Sequence, residues 1–233
     1  MSGIRSGNSE NGVVSPIKAF IFDLDGTLLD TIEDIAEASN RVYGARGLAP
    51  FSIEEMKKLV GEGAEELVRK VFAARGLPPL NKADMASIID DYRREYEACW
   101  RVHSHPYAGI PELLSELARR GIKTAVLSNK AQMFTSLMTE ALLPMHSFDI
   151  VRGAIPGVPL KPDPAPALAI AAELGLAPAA CAFVGDTSID MTTARAAGMF
   201  AVGALWGFRT IEELSSSGAG ALVASPEDIL GLL

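Results

Sequence analysis

The stretch over residues 17 to 30, which reads IKAFIFDLDGTLLD, constrains the fold of this chain more than any other segment. Ala19 to Phe22 form a short continuous apolar run, which is typical of a strand covered by helices on both faces of a parallel sheet. Asp23 and Asp25 follow directly, and Gly26 allows a sharp turn. Because ligands bind beyond the carboxyl ends of strands in open α/β sheets, both carboxylates are predicted to lie where a site is built.

Three interpretations of Asp-Leu-Asp-Gly-Thr compete: a solvated acidic turn after a strand, a calcium-binding loop, and a pair of catalytic carboxylates. A helix-loop-helix calcium loop has glycine at its sixth position and glutamate at its twelfth. Counted from Asp23, glycine comes fourth and Asp34 comes twelfth, and the preceding segment has strand character. The calcium loop is therefore excluded, whereas the acidic turn and a nucleophile with an acid/base partner both remain.

Composition limits the class of protein and the partners. The chain has 233 residues, enough for one large domain or for a domain with an insertion. Hydrophobic residues make up 48% and the net charge is −8, which is typical of a soluble globular protein and argues against a nucleic-acid partner. An anionic small substrate would need locally placed cations and a metal ion. Cys99 and Cys181 belong to no CxxC or Cys/His cluster, so neither a zinc site nor a disulfide framework is indicated.

The chain shows no targeting or membrane pattern. No run of about 18 apolar residues occurs, so no membrane partner is expected. The polar N-terminus does not resemble a signal peptide, which favours a cytoplasmic location. Residues 1–15, rich in Ser, Gly and Asn, are predicted to form a disordered leader. A monomer and a homodimer are both compatible with the sequence.

Hydrophobic periodicity divides the rest of the chain into two regions. From Thr31 to about Trp100 the periodicity is helical throughout, whereas after Pro106 helices and short apolar strands alternate. The first strand and the later strands are predicted to form one doubly wound parallel sheet, a Rossmann-like α/β core over residues 16–30 and 106–233. Residues 31–105 are then an inserted helical cap, placed directly after the two carboxylates where it can cover a site.

Two polar clusters are predicted at the ends of later strands. Ser128 and Asn129 follow the strand that begins at Lys123, where they can bind an anion or, in the alternative, cap the next helix. Lys161 stands in a Lys-Pro-Asp-Pro segment before a predicted helix. This segment can be a rigid helix start, or its lysine can neutralise a phosphate oxygen and a nucleophilic carboxylate together.

A third cluster, Gly-Asp-Thr-Ser-Ile-Asp, follows the strand that ends at Val184. Asp186 and Asp190 are four residues apart and so share one side of the beginning helix, although Asp186 can also be a simple helix cap. Together with Asp23 and Asp25 they would repel one another unless a cation lay among them. Mg²⁺ is the expected cation, because it prefers carboxylate oxygens and bridges to phosphate.

The four segments DxDGT, SNK, KPDP and GDTSID, each after a strand and in this order, resemble the four motifs of the haloacid dehalogenase-like hydrolase superfamily. The helical insertion after the first motif looks like a type 1 cap. Three further segments look similar to those of phosphoglycolate phosphatases: residues 60–64, residues 106–114 and residues 206–208. Glu62 departs from the amide or histidine that is frequent at its position in such enzymes.

The resemblance implies a role for each motif residue. Asp23 would be the nucleophile that forms an aspartyl-phosphate, and Asp25 the general acid/base. Ser128 and Asn129 would bind the transferring phosphoryl oxygens, and Lys161 would supply positive charge. The remaining motif residues concern the metal: Asp186, Asp23 and the backbone carbonyl of Asp25 would hold Mg²⁺, with Asp190 acting through water.

The expected function is therefore a magnesium-dependent phosphatase for a small phosphorylated metabolite, with 2-phosphoglycolate as the leading candidate. A phosphosugar mutase on the same scaffold and a catalytically silent binding or regulatory protein are the alternatives. The cap contains a Gly61-Glu62-Gly63 turn before a helix that begins near Ala64. This turn is either an ordinary interhelical connection or a substrate-binding element whose N–H groups near Gly63 bind the carboxylate of a small acid.

Overall fold

A computed structural model describes residues 16–233, so the predicted leader lies outside the described residues. The eight strands of this part of the chain are β1 Ala19–Phe22, β2 Leu29–Asp30, β3 His105–Pro106, β4 Lys123–Ala131, β5 Ile150–Ala154, β6 Cys181–Gly185, β7 Phe200–Ala204 and β8 Ala221–Val223. The α-helices are α1 Ile32–Gly44, α2 Ile53–Leu59, α3 Ala64–Ala74, α4 Lys82–Cys99, α5 Ile110–Arg119, α6 Gln132–Leu142, α7 Ala165–Glu173, α8 Ser188–Ala196 and α9 Ile211–Ser216. Two 3-10 helices span Pro178–Ala180 and Pro226–Leu232.

Six strands form one sheet in the order β5-β4-β1-β6-β7-β8, and every neighbouring pair is parallel. Helices cover both faces, so the predicted doubly wound, Rossmann-like fold is confirmed. The register of the central strands matters most for function. Phe22 of β1 is paired with Val126 of β4 and with Val184 of β6. The segments that follow these three positions therefore emerge side by side at one edge of the sheet.

Alternation along β1 distributes its side chains between two apolar clusters. Phe20 and Phe22 belong to the cluster on one face, and Ala19 and Ile21 belong to the cluster on the other. The first cluster includes the buried side of α5, whose residues at helical spacing all face inward: Ile110, Leu113, Leu114 and Leu117. It also includes buried side chains of the helical module, among them Tyr43 and Met56, so the module and this face of the sheet share one core.

The helical module α1 to α4 is joined to the sheet at a narrow base. Strands β2 and β3 pair antiparallel, with Leu29 opposite Pro106 and Asp30 opposite His105. The fully buried carboxylate of Asp34 accepts hydrogen bonds from the backbone N–H groups of His103 and Ser104, which ties the returning chain to α1. We propose that this strand pair marks the boundary between the core and a cap over residues 31–105.

The structure differs from the expected elements in two places. Strand β4, expected to end at Leu127, continues to Ala131, with a shift in its register against β5 after Leu127. Helix α9 was not expected, and it forms because Thr210 accepts a hydrogen bond from the N–H of Glu213 while Leu214 is fully buried. Within the described residues, no helix combines the length and the apolar character needed to cross a membrane.

Candidate active site

The side chains predicted for the site meet at the carboxyl edge of the sheet, above the strands aligned by the register of β1. A cavity of about 120 Å³ lies between this edge and the helical module. Most of the lining from the sheet side comes from the first two motifs, and the module contributes its glycine turn and one face of α4. The lining residues used below are Asp23, Asp25, Ser128, Lys130, Gly61, Gly63, Tyr92, Arg93 and Tyr96.

Asp23 directly follows β1 and is 6% exposed. Its Oδ1 accepts a hydrogen bond of 2.7 Å from the N–H of Leu24 and lies 2.9 Å from Nζ of Lys161. Burial raises the pKa of Asp23 to about 7, although the positive charge of Lys161 opposes this shift. Among the described residues Oδ2 accepts no hydrogen bond, so one oxygen of this carboxylate remains available at the cavity.

Lys161 joins two buried carboxylates. Its side chain is 1% exposed, and Nζ lies 2.9 Å from Oδ1 of Asp23 and 2.7 Å from Oδ1 of Asp190. Burial alone would disfavour the ammonium charge, but Asp190 and Asp23 outweigh it and raise the pKa of Lys161 above its usual value. The lysine is therefore held as a cation beside Asp23.

Asp186 and Asp190 are both fully buried, and they have different environments. Asp186 accepts hydrogen bonds from the hydroxyl of Thr27 at 2.9 Å and from the N–H of Phe208 at 2.8 Å. Asp190 accepts from the N–H and hydroxyl of Thr187 with one oxygen, which caps α8, and from Lys161 with the other. The N-cap of α8 is therefore Thr187, which forms a capping box with Asp190, and Asp186 does not cap this helix.

Glycines allow the backbone to pack tightly around Asp186. Gly26 has φ +83°, and a Cβ there would lie 2.4 Å from Oδ2 of Asp186. A Cβ on Gly207 would lie 2.2 Å from the Cβ of Asp186. Any side chain at either glycine would displace this carboxylate, so the loop after β7 and the turn after β1 both position it.

The donor set at the edge suits a divalent cation. Carboxylate oxygens of Asp23, Asp186 and Asp190 lie within 4.8 Å of one another, and Lys161 compensates part of their charge. Burial, then Asp190 and Asp23, raises the pKa of Asp186 to about 8. Three close buried carboxylates favour an added positive charge, and oxygen ligands of this kind match Mg²⁺. Asp23 and Asp186 are the residues that could hold it.

The carboxylate of Asp25 points away from this acidic group. It accepts a hydrogen bond of 2.7 Å from the hydroxyl of Thr31 and lies 3.0 and 3.2 Å from Nζ of Lys130. The expected metal contact of Asp25 is through its backbone carbonyl, so the side chain is left for another role. Lys130, to which the sequence motifs assigned no role, is thereby part of the site. Its position directly after Ser128 and Asn129 is the sequence feature that could have indicated this role.

Ser128 and Asn129 are both buried within the extended part of β4. The hydroxyl of Ser128 accepts a hydrogen bond of 3.2 Å from the N–H of Lys130 and can still donate its own proton into the cavity. The Asn129 amide accepts from the N–H of Lys161 and donates to the carbonyls of Lys161 and Gly61. Both amide hydrogens bond to protein carbonyls, so Asn129 positions Lys161. The contact of this side chain with a phosphoryl oxygen stays a prediction.

The glycine turn of the helical module contacts the edge of the sheet where the candidate site lies. Gly63 has φ +87°, and a Cβ there would lie 3.3 Å from the backbone oxygen of Asn129. The Glu62 carboxylate pairs with Lys70 of α3, which neutralises it. On the other side of the turn, Arg209 donates a hydrogen bond of 2.9 Å to the carbonyl of Val60. The structure therefore places Gly63 beside the second motif, at the start of α3.

The chain is similar to known proteins in sequence and in structure. The sequence profile of the haloacid dehalogenase-like hydrolase family matches residues 20–204. A phosphoglycolate phosphatase of Nitrosospira multiformis is 33% identical over 210 residues, which cover 90% of this chain and 92% of that protein. An N-acetylmuramic acid 6-phosphate phosphatase of Pseudomonas aeruginosa is 29% identical over 218 residues, which cover 93% and 95%. The crystal structure of a predicted phosphoglycolate phosphatase from Haemophilus somnus matches with a TM-score of 0.84 at 26% identity, covering 93% of this chain and 97% of that one. The chain belongs to the haloacid dehalogenase-like hydrolase family.

Proposed function

We propose that the protein is a magnesium-dependent phosphatase that hydrolyses a small phosphorylated metabolite through an aspartyl-phosphate on Asp23. The observation that carries this proposal is the environment of that carboxylate. Oδ1 of Asp23 is held by Lys161 at 2.9 Å, while Oδ2 accepts no hydrogen bond from the described residues, and Asp23 lines the cavity. A buried carboxylate with one oxygen fixed and the other available is suited to nucleophilic attack.

The side chains of the site can divide the reaction into two displacements. In the first, Asp23 attacks phosphorus, the bond to the ester oxygen breaks, and Asp25 gives a proton to the leaving alcohol. In the second, Asp25 takes a proton from a water molecule that attacks the aspartyl-phosphate, which releases inorganic phosphate and restores Asp23. Lys161 and the Ser128 hydroxyl stabilise negative charge on the phosphoryl oxygens. Asp23 and Asp186 would hold a magnesium ion, which would supply further positive charge there.

The leading substrate is 2-phosphoglycolate. The small cavity of about 120 Å³ favours a small molecule, and several of the similar curated proteins are named phosphoglycolate phosphatase. One relative of nearly equal similarity is named for a larger sugar phosphate, so the four motifs alone do not determine the substrate. The cap, which contributes the glycine turn and α4 to the cavity, is where the choice would be made.

Phosphate release from a panel of phosphorylated metabolites tests the proposal. We expect Mg²⁺-dependent release that is fastest with 2-phosphoglycolate and absent in excess chelator. Asp23→Asn protein provides the blank for contaminating phosphatases. Transfer of the phosphate to a sugar rather than to water would favour the mutase alternative. Absence of turnover on every compound, with Mg²⁺ present and the protein folded, would overturn the proposal in favour of a silent binding protein.

A further inference from the structure

Lys130 is a largely buried cation in the cavity that the two displacements do not use. Its side chain is 8% exposed, and Nζ lies 3.0 and 3.2 Å from the two oxygens of Asp25. The same nitrogen lies 4.4 Å from the centroid of the Tyr96 ring, which stacks on Tyr92 at 5.7 Å. An ammonium group held between a carboxylate and an aromatic wall has a fixed position and is poorly hydrated.

Because Lys130 contacts Asp25, it would face the leaving alcohol of the substrate rather than the phosphoryl group. Asp25 must reach the ester oxygen of the leaving alcohol, whereas Lys161 lies at Asp23 on the phosphoryl side. Nζ of Lys130 is within hydrogen-bond distance of both Asp25 oxygens. A carboxylate whose oxygens lie three bonds beyond the ester oxygen, as in a 2-hydroxy acid, therefore comes within reach of Nζ.

The charges around the cavity leave Lys130 able to take a second anion. Among the described residues its one ion-pair partner is Asp25, and an ammonium group has three donors. Arg93 is the other cationic residue of the lining. It is a weaker partner for an anion in the cavity, because its side chain is 54% exposed and pairs with Asp90. A carboxylate on the leaving alcohol would find its strongest available partner at Lys130.

We propose that Lys130 is a specificity-determining residue that binds the carboxylate of the leaving group, and so selects phosphate esters of small 2-hydroxy acids. This inference rests on the proposed phosphatase function and names the substrate class for the same site. Gly63 and Ala64, at the start of α3, line the same cavity, so the second carboxylate oxygen can face the α3 N–H groups. Nζ of Lys130 then donates to the substrate carboxylate as well as to Asp25, since an ammonium group has three donors.

A pair of substrates that differ in one charge separates this role from any general effect on Asp25. The pair is 2-phosphoglycolate and its neutral amide, 2-(phosphooxy)acetamide. Lys130→Met removes the charge at similar length, and Lys130→Arg keeps the charge. Lys123→Met is the matched control, because Lys123 begins the same strand and its exposed side chain lies at the opposite edge of the sheet. Thermal unfolding establishes that each variant is folded.

We expect Lys130→Met to reduce the kcat/KM preference for the acid over the amide by about 10- to 100-fold, the range for a charge-assisted hydrogen bond. Lys130→Arg should retain most of the preference, and Lys123→Met all of it. Equal losses on both substrates would overturn the proposal and leave the phosphatase assignment intact.

Binding gives a second readout that does not depend on turnover. Calorimetric titration of Asp23→Asn protein with 2-phosphoglycolate should show an affinity that falls about 10-fold or more when Lys130→Met is added, while affinity for the amide changes little. Unchanged affinity for the acid would overturn the role of Lys130 even if the wild-type protein hydrolyses phosphate esters. If the wild-type protein hydrolyses no phosphate ester but Lys130→Met still lowers the affinity for the acid, the role of Lys130 is supported and the phosphatase function is overturned.

Discussion

Nζ of Lys161 lies 2.9 Å from Oδ1 of Asp23, and both side chains are almost completely buried. The lysine comes from the segment before α7 and the aspartate from the end of β1, so the third motif supplies the charge that the first motif requires. The same ammonium lies 2.7 Å from Asp190 of the fourth motif. One cation thus links three segments that are far apart in the sequence.

Replacing Asp23 by asparagine should abolish turnover while preserving the fold. An amide is close to a carboxylate in size but cannot form the acyl phosphate. Steady-state phosphate release and circular dichroism of the purified variant measure the two properties. Substantial release by pure Asp23→Asn protein, above that of a mock preparation, would contradict the covalent mechanism.

Replacing Lys161 by methionine should destabilise the protein by about 3–5 kcal/mol, because it leaves the buried carboxylates of Asp23 and Asp190 without their cation. Urea denaturation in the presence of chelator measures the free energy of unfolding. Lys123→Met, whose exposed pair with Asp149 is worth about 0–1 kcal/mol, is the control for loss of a lysine charge. A loss for Lys161→Met no larger than that of the control would show that the buried pairs are energetically unimportant.

Metal-free protein should become less stable as pH rises, owing to Asp186. The pKa of this group is raised from 3.8 to about 8 by folding, chiefly through burial. The folded state therefore binds its proton more tightly, and the stabilisation present below about pH 4 is lost as pH rises through about 8. Asp186→Asn removes this dependence, so in chelator the Tm of the variant relative to wild type should increase from pH 5 to pH 8.

Mg²⁺ at pH 8 should raise the Tm of the wild-type protein and have little effect on Asp186→Asn, since the proposed ion would bind the folded state through this carboxylate. Differential scanning fluorimetry at matched ionic strength measures both effects. The assignment of Asp186 to the metal would be wrong if Mg²⁺ stabilised the variant as strongly as the wild type.

Replacing Gly63 by valine should lower kcat/KM for 2-phosphoglycolate far more than for a bulky aryl phosphate. The new side chain would strain a backbone at φ +87° and press against the Asn129 carbonyl, while Asp23 and Asp25 stay unchanged. Gly76→Val is the matched control, because Gly76 follows the other end of α3, has φ +66° and has no atom within 4 Å of the point where a Cβ would lie. Equal losses on both substrates would remove the glycine turn from the specificity argument.

Local patterns in the sequence were sufficient to predict the fold. They were not sufficient to predict contacts between residues that are distant in the sequence. The apolar run of β1 and the strand-helix alternation after residue 106 identified the parallel sheet, because burial on both faces leaves a direct mark on composition. The extension of β4 past Leu127 could not be predicted from an apolar run, since Ser128 to Lys130 are polar residues that line the cavity.

The same limit applies within the site. Asp23 and Asp186 could be singled out because each directly follows a strand. The pairing of Lys130 with Asp25 joins residues 105 positions apart, and the Asn129 contact with Gly61 spans 68. The first pair depends on which strands are neighbours in the sheet, and the second depends on how the helical module packs against the sheet. No local periodicity encodes either arrangement.

The narrow base of the cap has a consequence for the history of such enzymes. The chain leaves the core at β2 and returns at β3, and these two-residue strands are hydrogen-bonded neighbours. Loops of the segment between them can be lengthened or shortened without altering the register of the six-stranded sheet, because that register is set by strands outside the segment. Selection can therefore act on substrate choice in the inserted segment while the phosphoryl chemistry at the sheet edge is inherited unchanged.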